Sequence, residues 1–293
     1  MRVRVGVLIV ALAVVAAGCG FHTITPPGAA RLRYRDAVFT SATTTKDISY
    51  GSSVDQAGNT VDLKLDLVTP DGDTNTKRPA IVWVHGGSFS GGDKTSGELL
   101  VEMDTFAKEG YVNVSINYRL LPAGCSASGG AGQQACVQEI IDAQHDAQAA
   151  VRFLRKNATT YKVDPNRIGI AGTSAGAITA LDVGANSEDP GTSGNPGFSS
   201  KVGGAVALSG AKLVGNPQTT GDAPSLLFHG TADPLVPYQW AVNTNNEAIA
   251  AGLVSYLTTY PGEGHVPFNH YEQILLQTSN FRYWTLDLAH ASS

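Results

Sequence analysis

Val61, Leu63, Leu65 and Leu67 alternate with Asp62, Lys64 and Asp66, the period-two pattern of an antiparallel strand with one apolar and one wet face. Further along the pattern changes. Ile81 to Val84, Val112 to Ile116, Ile168 to Ala171, Val202 to Leu208, Leu226 to Phe228 and Val254 to Tyr260 are continuous apolar runs, as expected of strands covered by helices on both faces. Between them a helix is predicted over Glu98 to Glu109, ending before Gly110. Another covers Gln134 to Asn157, where Ile140, Ala143, Ala147, Val151 and Leu154 form one stripe. A third begins near Ser174, a fourth covers Tyr238 to Ala251, and the last runs from Asn269 to Ala289. Strands alternating with helices predict an α/β fold, a doubly wound and mostly parallel sheet with helices on both faces. The ligand site of such a sheet lies beyond the carboxyl ends of its strands.

Gly172-Thr173-Ser174-Ala175-Gly176 sits at one of those ends, after the run Arg167 to Ala171 and before an Ala-rich helical segment. Glycines two places either side of a serine remove the β-carbons that would collide in a sharp strand-to-helix turn, so the hydroxyl can project from the sheet edge as a nucleophile. Asp233 follows the next apolar strand but one, and His265 follows the last, giving the chain order Ser, Asp, His. Of the seven histidines, only His265 follows the last strand at a turn. Asp222 and Glu263 are rivals for the acidic role; Asp222 precedes its strand, and Glu263 is close to His265 in sequence. Ala80 to Val84 runs into His85-Gly86-Gly87-Ser88, a glycine turn whose N–H groups, with that of Ala175, could face a developing oxyanion. His85 and His229 are read as turn supports, and Asp93 and Lys94 as residues that fix the oxyanion loop.

These residues, with Gly91-Gly92-Asp93-Lys94, Asn117-Tyr118-Arg119-Leu120 and Asp164 to Ile168, resemble the bacterial α/β-hydrolase esterases over residues 47 to 290. That group includes carboxylesterases, hormone-sensitive-lipase-like esterases and feruloyl- or acetyl-esterase-like enzymes. The chain departs from the hormone-sensitive-lipase-like pattern in having Thr173 before the nucleophile and Ser88 where a third glycine is usual. The resemblance implies a serine hydrolase of carboxylic esters with the triad Ser174, Asp233 and His265 and an oxyanion hole of Gly86, Gly87 and Ala175. It calls for neither a cofactor nor a metal. A serine peptidase of the same fold and an inactive binding protein are the alternatives.

Arg2 and Arg4 precede the apolar stretch Val5 to Ala17, too short to cross roughly 30 Å of hydrocarbon as a helix, so residues 1–18 read as a signal peptide. Ala16-Ala17-Gly18-Cys19 looks like a lipobox, which makes Cys19 the candidate for a lipid anchor on the outer face of a bacterial membrane. An ordinary signal peptide with an incidental cysteine is the other reading. Residues 19–46 are expected to form a tether and N-terminal segment, and residues 47–293 the catalytic domain. Cys125 and Cys136 are then expected to pair as a disulfide in an oxidising compartment, against the alternatives of two free thiols or a metal site.

The net charge of −5 without basic clusters gives no reason to propose nucleic acid as a partner; the partners expected are a small ester and the membrane. Asp182 to Ser200, with Pro190, Pro196 and four glycines, reads as an excursion rather than a helical lid, which predicts an open cleft and a preference for short to medium acyl chains. Residues 31 to 47 are the segment that could fold over the cleft as a small cap.

Overall fold

A computed structural model describes residues 21–125 and 130–290. The expected signal peptide and Cys19 lie outside the described residues. In chain order the elements are β1 (Ala42–Val54), β2 (Thr60–Pro70), β3 (Arg78–Val84), α1 (Gly97–Glu109), β4 (Val112–Ile116), α2 (Gly130–Lys156), α3 (Ala158–Tyr161) and β5 (Val163–Thr173). There follow α4 (Ala175–Ala185), β6 (Ala205–Leu208), β7 (Ser225–Gly230), α5 (Tyr238–Ala250), β8 (Ser255–Tyr260) and α6 (Tyr271–Thr285). The eight strands make one sheet in the order β1-β2-β4-β3-β5-β6-β7-β8. β2 pairs antiparallel with both β1 and β4, and every later pairing is parallel.

Burial accounts for the continuous apolar runs. In β3, Ala80, Val82 and Val84 join the core on the side of α2 and α4, while Ile81 and Trp83 join the core with Met103 and Phe106 of α1 and Phe281 of α6. Successive side chains point to opposite faces, and both faces are covered, so no polar alternation is possible. β8 departs from this expectation: Tyr256 is 41 % exposed, and Ser255 and Tyr260 are its only buried residues. It is the terminal strand and has a neighbour on one side only.

β2 keeps the predicted alternation with one change. Asp66, expected on the wet face, is buried and accepts an ion pair from Lys94 at 2.8 Å. β1 was not foreseen at all. Its sequence is mostly Thr, Ser and charged residues, as suits an edge strand with an exposed face, and it is interrupted by two register shifts. The domain start expected at residue 47 falls inside it, at a bulge where Asp47 has φ 59°.

The segment before β1 does not cap the cleft. Tyr34 is fully buried, its N–H donates to Glu109 O, and its carbonyl accepts the hydroxyl of Tyr111. These contacts lie at the end of α1 and the start of β4, the amino edge of the parallel strands. The predicted excursion is also shorter than expected, because α4 continues through Ala185. The chain beyond it lies on β1 and α2: Ser52 N–H donates to Ser193 O, Asn195 Nδ2 donates to Tyr50 O, and Arg152 donates to Pro190 and Gly194 carbonyls.

Candidate active site

Ser174 stands between the last residue of β5 and the first of α4, with φ 57° and ψ −119°, a conformation that non-glycine residues avoid and that costs about 1–3 kcal/mol. The glycines around it are required by contact. A β-carbon on Gly172 would lie 2.4 Å from Gly176, and one on Gly176 would lie 1.9 Å from the Val84 carbonyl oxygen at the end of β3.

The structure brings Asp233 and His265 to this serine. Nε2 of His265 is 2.8 Å from Ser174 Oγ and Nδ1 is 2.7 Å from Asp233 Oδ2. Asp233 follows β7, and its Oδ1 accepts the N–H groups of Leu235 (2.9 Å) and Val236 (3.0 Å). Burial works to raise its pKa, but the hydrogen bond from His265 and these two N–H donors outweigh it and hold the carboxyl below its usual range. The loop bearing His265 is seated by contact as well: a β-carbon on Gly230 would lie 2.3 Å from the carbonyl oxygens of Glu263 and Gly264.

Glu263 turns away from the relay and lies 3.5 Å from His270 Nε2, while Asp222 accepts the N–H of Thr219 before β7. Two further supports were not read from the sequence in these roles. His229 is completely buried beneath Asp233, with Nε2 2.8 Å from Val236 O and 3.2 Å from Asp233 Oδ2. Burial lowers its pKa and keeps the ring neutral, so Nε2–H can donate. Ser209, just after β6, accepts the N–H of Val266 at 2.9 Å, which pins the residue after His265 in a left-handed conformation (φ 55°).

The turn after β3 approaches the serine from the other side. A β-carbon on Gly86 would lie 3.2 Å from Ser174 Cβ; Gly87 has φ 122°, and a β-carbon there would meet Gly91 O at 2.1 Å. Ala175 is the first residue of α4, so its N–H has no intrahelical acceptor and is free to serve a ligand. The three expected oxyanion donors therefore belong to the two turns that meet at Ser174.

Asp93 and Lys94 fix the following loop as expected. Asn117 Nδ2 donates to Asp93 Oδ2 at 2.9 Å, Asn117 Oδ1 accepts the Lys94 N–H at 2.6 Å, and Lys94 Nζ bridges Asp66 and Asp47. His85 is buried, stacks on Tyr118 at 4.4 Å and has Nδ1 2.7 Å from Gly86 O, the turn-supporting place assigned to it.

Ser174 opens into a cavity of about 460 Å³. Its walls are apolar, with Ile178 on α4, Val137 and Ile140 on α2, Leu213 and Val214 after β6, and Trp240 on α5. Cys125 and Cys136, paired as the expected disulfide, form part of the same wall. At the mouth Leu235 is 66 % and Trp240 42 % exposed, so apolar surface continues from the cavity to the outside. Among these residues Ile140, on the expected α2 stripe, and the Cys125–Cys136 pair were read from the sequence, and Ile178, four places after Ser174 on one helix face, carried a further signal.

Two family models match the chain, BD-FAE over residues 65–209 and TAP-like protein over residues 205–274. Phenmedipham hydrolase of Pseudarthrobacter oxydans is 38% identical over 119 residues, 40% of this chain and 22% of that protein. Isoprenylcysteine alpha-carbonyl methylesterase of Arabidopsis thaliana is 31% identical over 154 residues, 53% of this chain and 30% of that protein. The chain thus spans less than a third of the length of either relative.

Among solved structures, a truncated carbohydrate esterase from gut microbiota is similar at TM-score 0.65 and 21% identity, with 86% of this chain and 98% of that chain covered. The butyrate-bound esterase Est2 of Thermogutta terrifontis is similar at TM-score 0.64 and 22% identity, with 78% and 92% covered. The strand order, the crossovers and these likenesses define one class: the chain has the α/β-hydrolase fold.

Proposed function

We propose that the protein hydrolyses carboxylic esters with short to medium acyl chains, through an acyl-enzyme on Ser174. The observation that carries this reading is the unbroken line from Ser174 Oγ through His265 to Asp233, at 2.8 and 2.7 Å, at the mouth of an apolar cavity. In this mechanism Nδ1–H of His265 donates to Asp233, which leaves Nε2 as acceptor for the serine proton. Ser174 Oγ bonds to the ester carbonyl carbon as its proton passes to Nε2. The N–H groups of Gly86, Gly87 and Ala175 stabilise the oxyanion, in a turn already shaped by Gly91, Asn117 and Lys94. Collapse breaks the bond to the alcohol oxygen, which takes the proton from Nε2. Water, deprotonated by the same nitrogen, then releases the acid and restores Ser174. The apolar walls suit an acyl chain, since each buried methylene gains about 0.8 kcal/mol.

The test is a panel of p-nitrophenyl esters from acetate to palmitate, run beside an acetylated sugar, a feruloylated sugar and an aminoacyl anilide. Ester cleavage that peaks at two to six carbons, with fluorophosphonate labelling of Ser174, is the expected result. Cleavage of the anilide in preference to every ester would instead make the protein a peptidase, and no turnover with no labelling would make it a binding protein.

We also infer that the chain is exported with residues 1–18 as its signal peptide and anchored through Cys19. A clickable fatty acid should tag the wild type and not Cys19→Ser; an untagged wild type found in the medium overturns the anchor.

A further inference from the structure

We infer that Asp182 is a positioning residue that sets acyl selectivity, because it suspends the Leu213–Val214 wall of the cavity from α4. The inference rests on the ester-hydrolase reading of the site. Asp182 is two helical turns beyond Ser174 and fully buried, and it takes no part in the relay. Its Oδ1 accepts the N–H of Leu213 at 2.8 Å and of Val214 at 3.2 Å. Those two residues line the cavity. One turn on, Asn186 completes the attachment: Nδ2 donates to Val214 O and Oδ1 accepts the N–H of Asn216, both at 3.2 Å. The loop between them is pressed against this clamp, for a β-carbon on Gly215 would lie 1.7 Å from Asn186 Oδ1. On its other side the loop is tied to α5, where Lys212 N–H donates to Thr244 Oγ1 and Lys212 Nζ to Glu247.

At Asp182 the wall is held by two N–H donors meeting one oxygen, while Val214 packs against the core. Asp182 Oδ2 is buried without a partner among the described residues. Burial, countered in part by the Leu213 and Val214 N–H groups, pushes the carboxyl up to about 8, so at neutral pH it is mostly protonated and close in shape and charge to an amide. Asparagine can therefore replace it, keeping one carbonyl oxygen for the two N–H groups; alanine cannot, and would leave both partly buried N–H groups without this acceptor.

The reach of the wall sets which substrates sense it. Ser174 and the Leu213–Val214 wall line the same cavity; on this inference a six-carbon acyl chain touches the wall and an acetyl group does not reach it. The experiment measures kcat and KM for p-nitrophenyl acetate and hexanoate with wild type, Asp182→Ala and Asp182→Asn. Asp182→Ala should raise KM for hexanoate roughly tenfold with kcat little changed, and leave both constants for acetate within about twofold. Asp182→Asn should restore the wild-type ratio. Equal losses on both esters, or an unchanged ratio in Asp182→Ala, overturn the inference. Should Asp182→Ala not fold, Asn186→Ala releases the same loop and is judged by the same ratio. A wild type that cleaves neither ester overturns the ester-hydrolase reading itself.

Discussion

At the carboxyl edge of the sheet Ser88, Phe89, Ser174, Ser209 and Val266 hold φ values between 55° and 58°, and glycines at 86, 87, 172, 176 and 230 sit where a β-carbon would meet backbone or Ser174. The amino edge of the same strands is closed in another way. Tyr34 is buried under the end of α1 and packs edge-on against Tyr111 at 5.6 Å, and Arg78 donates to the Tyr161 and Lys162 carbonyls. Left-handed residues occur there too, but Lys162 ends α3 and Tyr34 sits in a turn, and neither aims a reacting group. Strained backbone of this kind costs about 1–3 kcal/mol per residue and persists only where its surroundings leave no alternative. The carboxyl edge therefore fixes the positions of Ser174, Asp233 and His265 at the expense of stability, and the amino edge and the two core layers supply the stability that makes this possible.

The largest break in that comparison is at the carboxyl edge. Ser174→Ala should lower kcat by about 10⁴ to 10⁶ and abolish fluorophosphonate labelling, while thermal unfolding stays close to wild type. Asp233→Asn comes next. Its amide can still accept the Leu235 and Val236 N–H groups, but it favours the wrong tautomer of His265, so activity should fall by about 10² to 10⁴ in a folded protein. Glu263→Gln should stay within about twofold, since Glu263 faces His270. Activity retained in Asp233→Asn and lost in Glu263→Gln would transfer the acidic role.

The two edges also differ in what could be read from the chain. The parallel strands and their helices were legible because burial on both faces requires continuous apolar runs, and the elbow because Gly172 and Gly176 leave no room for a side chain. β1 was hidden, since an edge strand rich in Thr and Ser has no apolar period to report. Tyr34 was hidden because a single aromatic in a polar segment looks the same whether it anchors a helix end or faces water. At the site, Ser174, Asp233 and His265 came from chain order and strand ends. The residues that hold them, His229 and Ser209, and the cavity wall at Leu213, Val214 and Trp240 depend on loop paths, which pairing of distant segments decides. Whether residues 31 to 47 cap the cleft was undecided by composition for the same reason; the partners of Tyr34, Glu109 and Tyr111, lie at the opposite edge of the sheet.

The amino edge gives the converse test. Tyr34→Ala removes a fully buried ring and leaves a cavity against Tyr111 and the end of α1, so stability should fall by about 3 kcal/mol in chemical denaturation. In the fraction that remains folded, kcat should be unchanged. A fall in kcat at full folding would mean that the two edges are coupled through α1.

The effect that is smallest at any one step, because it is spread over pH, comes from the layer beneath the amino edge, where α1 packs on α6. Glu102 and Glu109 are both buried on the inner face of α1, and Ser279 of α6 donates to Glu109 Oε1 at 2.6 Å. Burial raises both carboxyls from 4.5 to about 8; for Glu102 the nearby Glu98 charge adds to the rise, and for Glu109 the Ser279 bond opposes it. Between these limits the folded protein keeps protons that the unfolded chain has already released. The native state then binds more protons than the unfolded state, so stability declines as pH rises, by at most about 1.4 kcal/mol per pH unit for each group. The contribution is fully present below pH 4.5 and is lost by the time the pH passes about 8. Glu109→Gln keeps an oxygen for Ser279 and carries no titratable proton, so its denaturation midpoint should fall less steeply between pH 5 and 8 than that of wild type, and the two curves should diverge most at the alkaline end. Parallel curves would show that Glu109 is ionised in the folded protein at neutral pH, and the α1–α6 layer would then carry a buried charge where the present reading places a neutral acid.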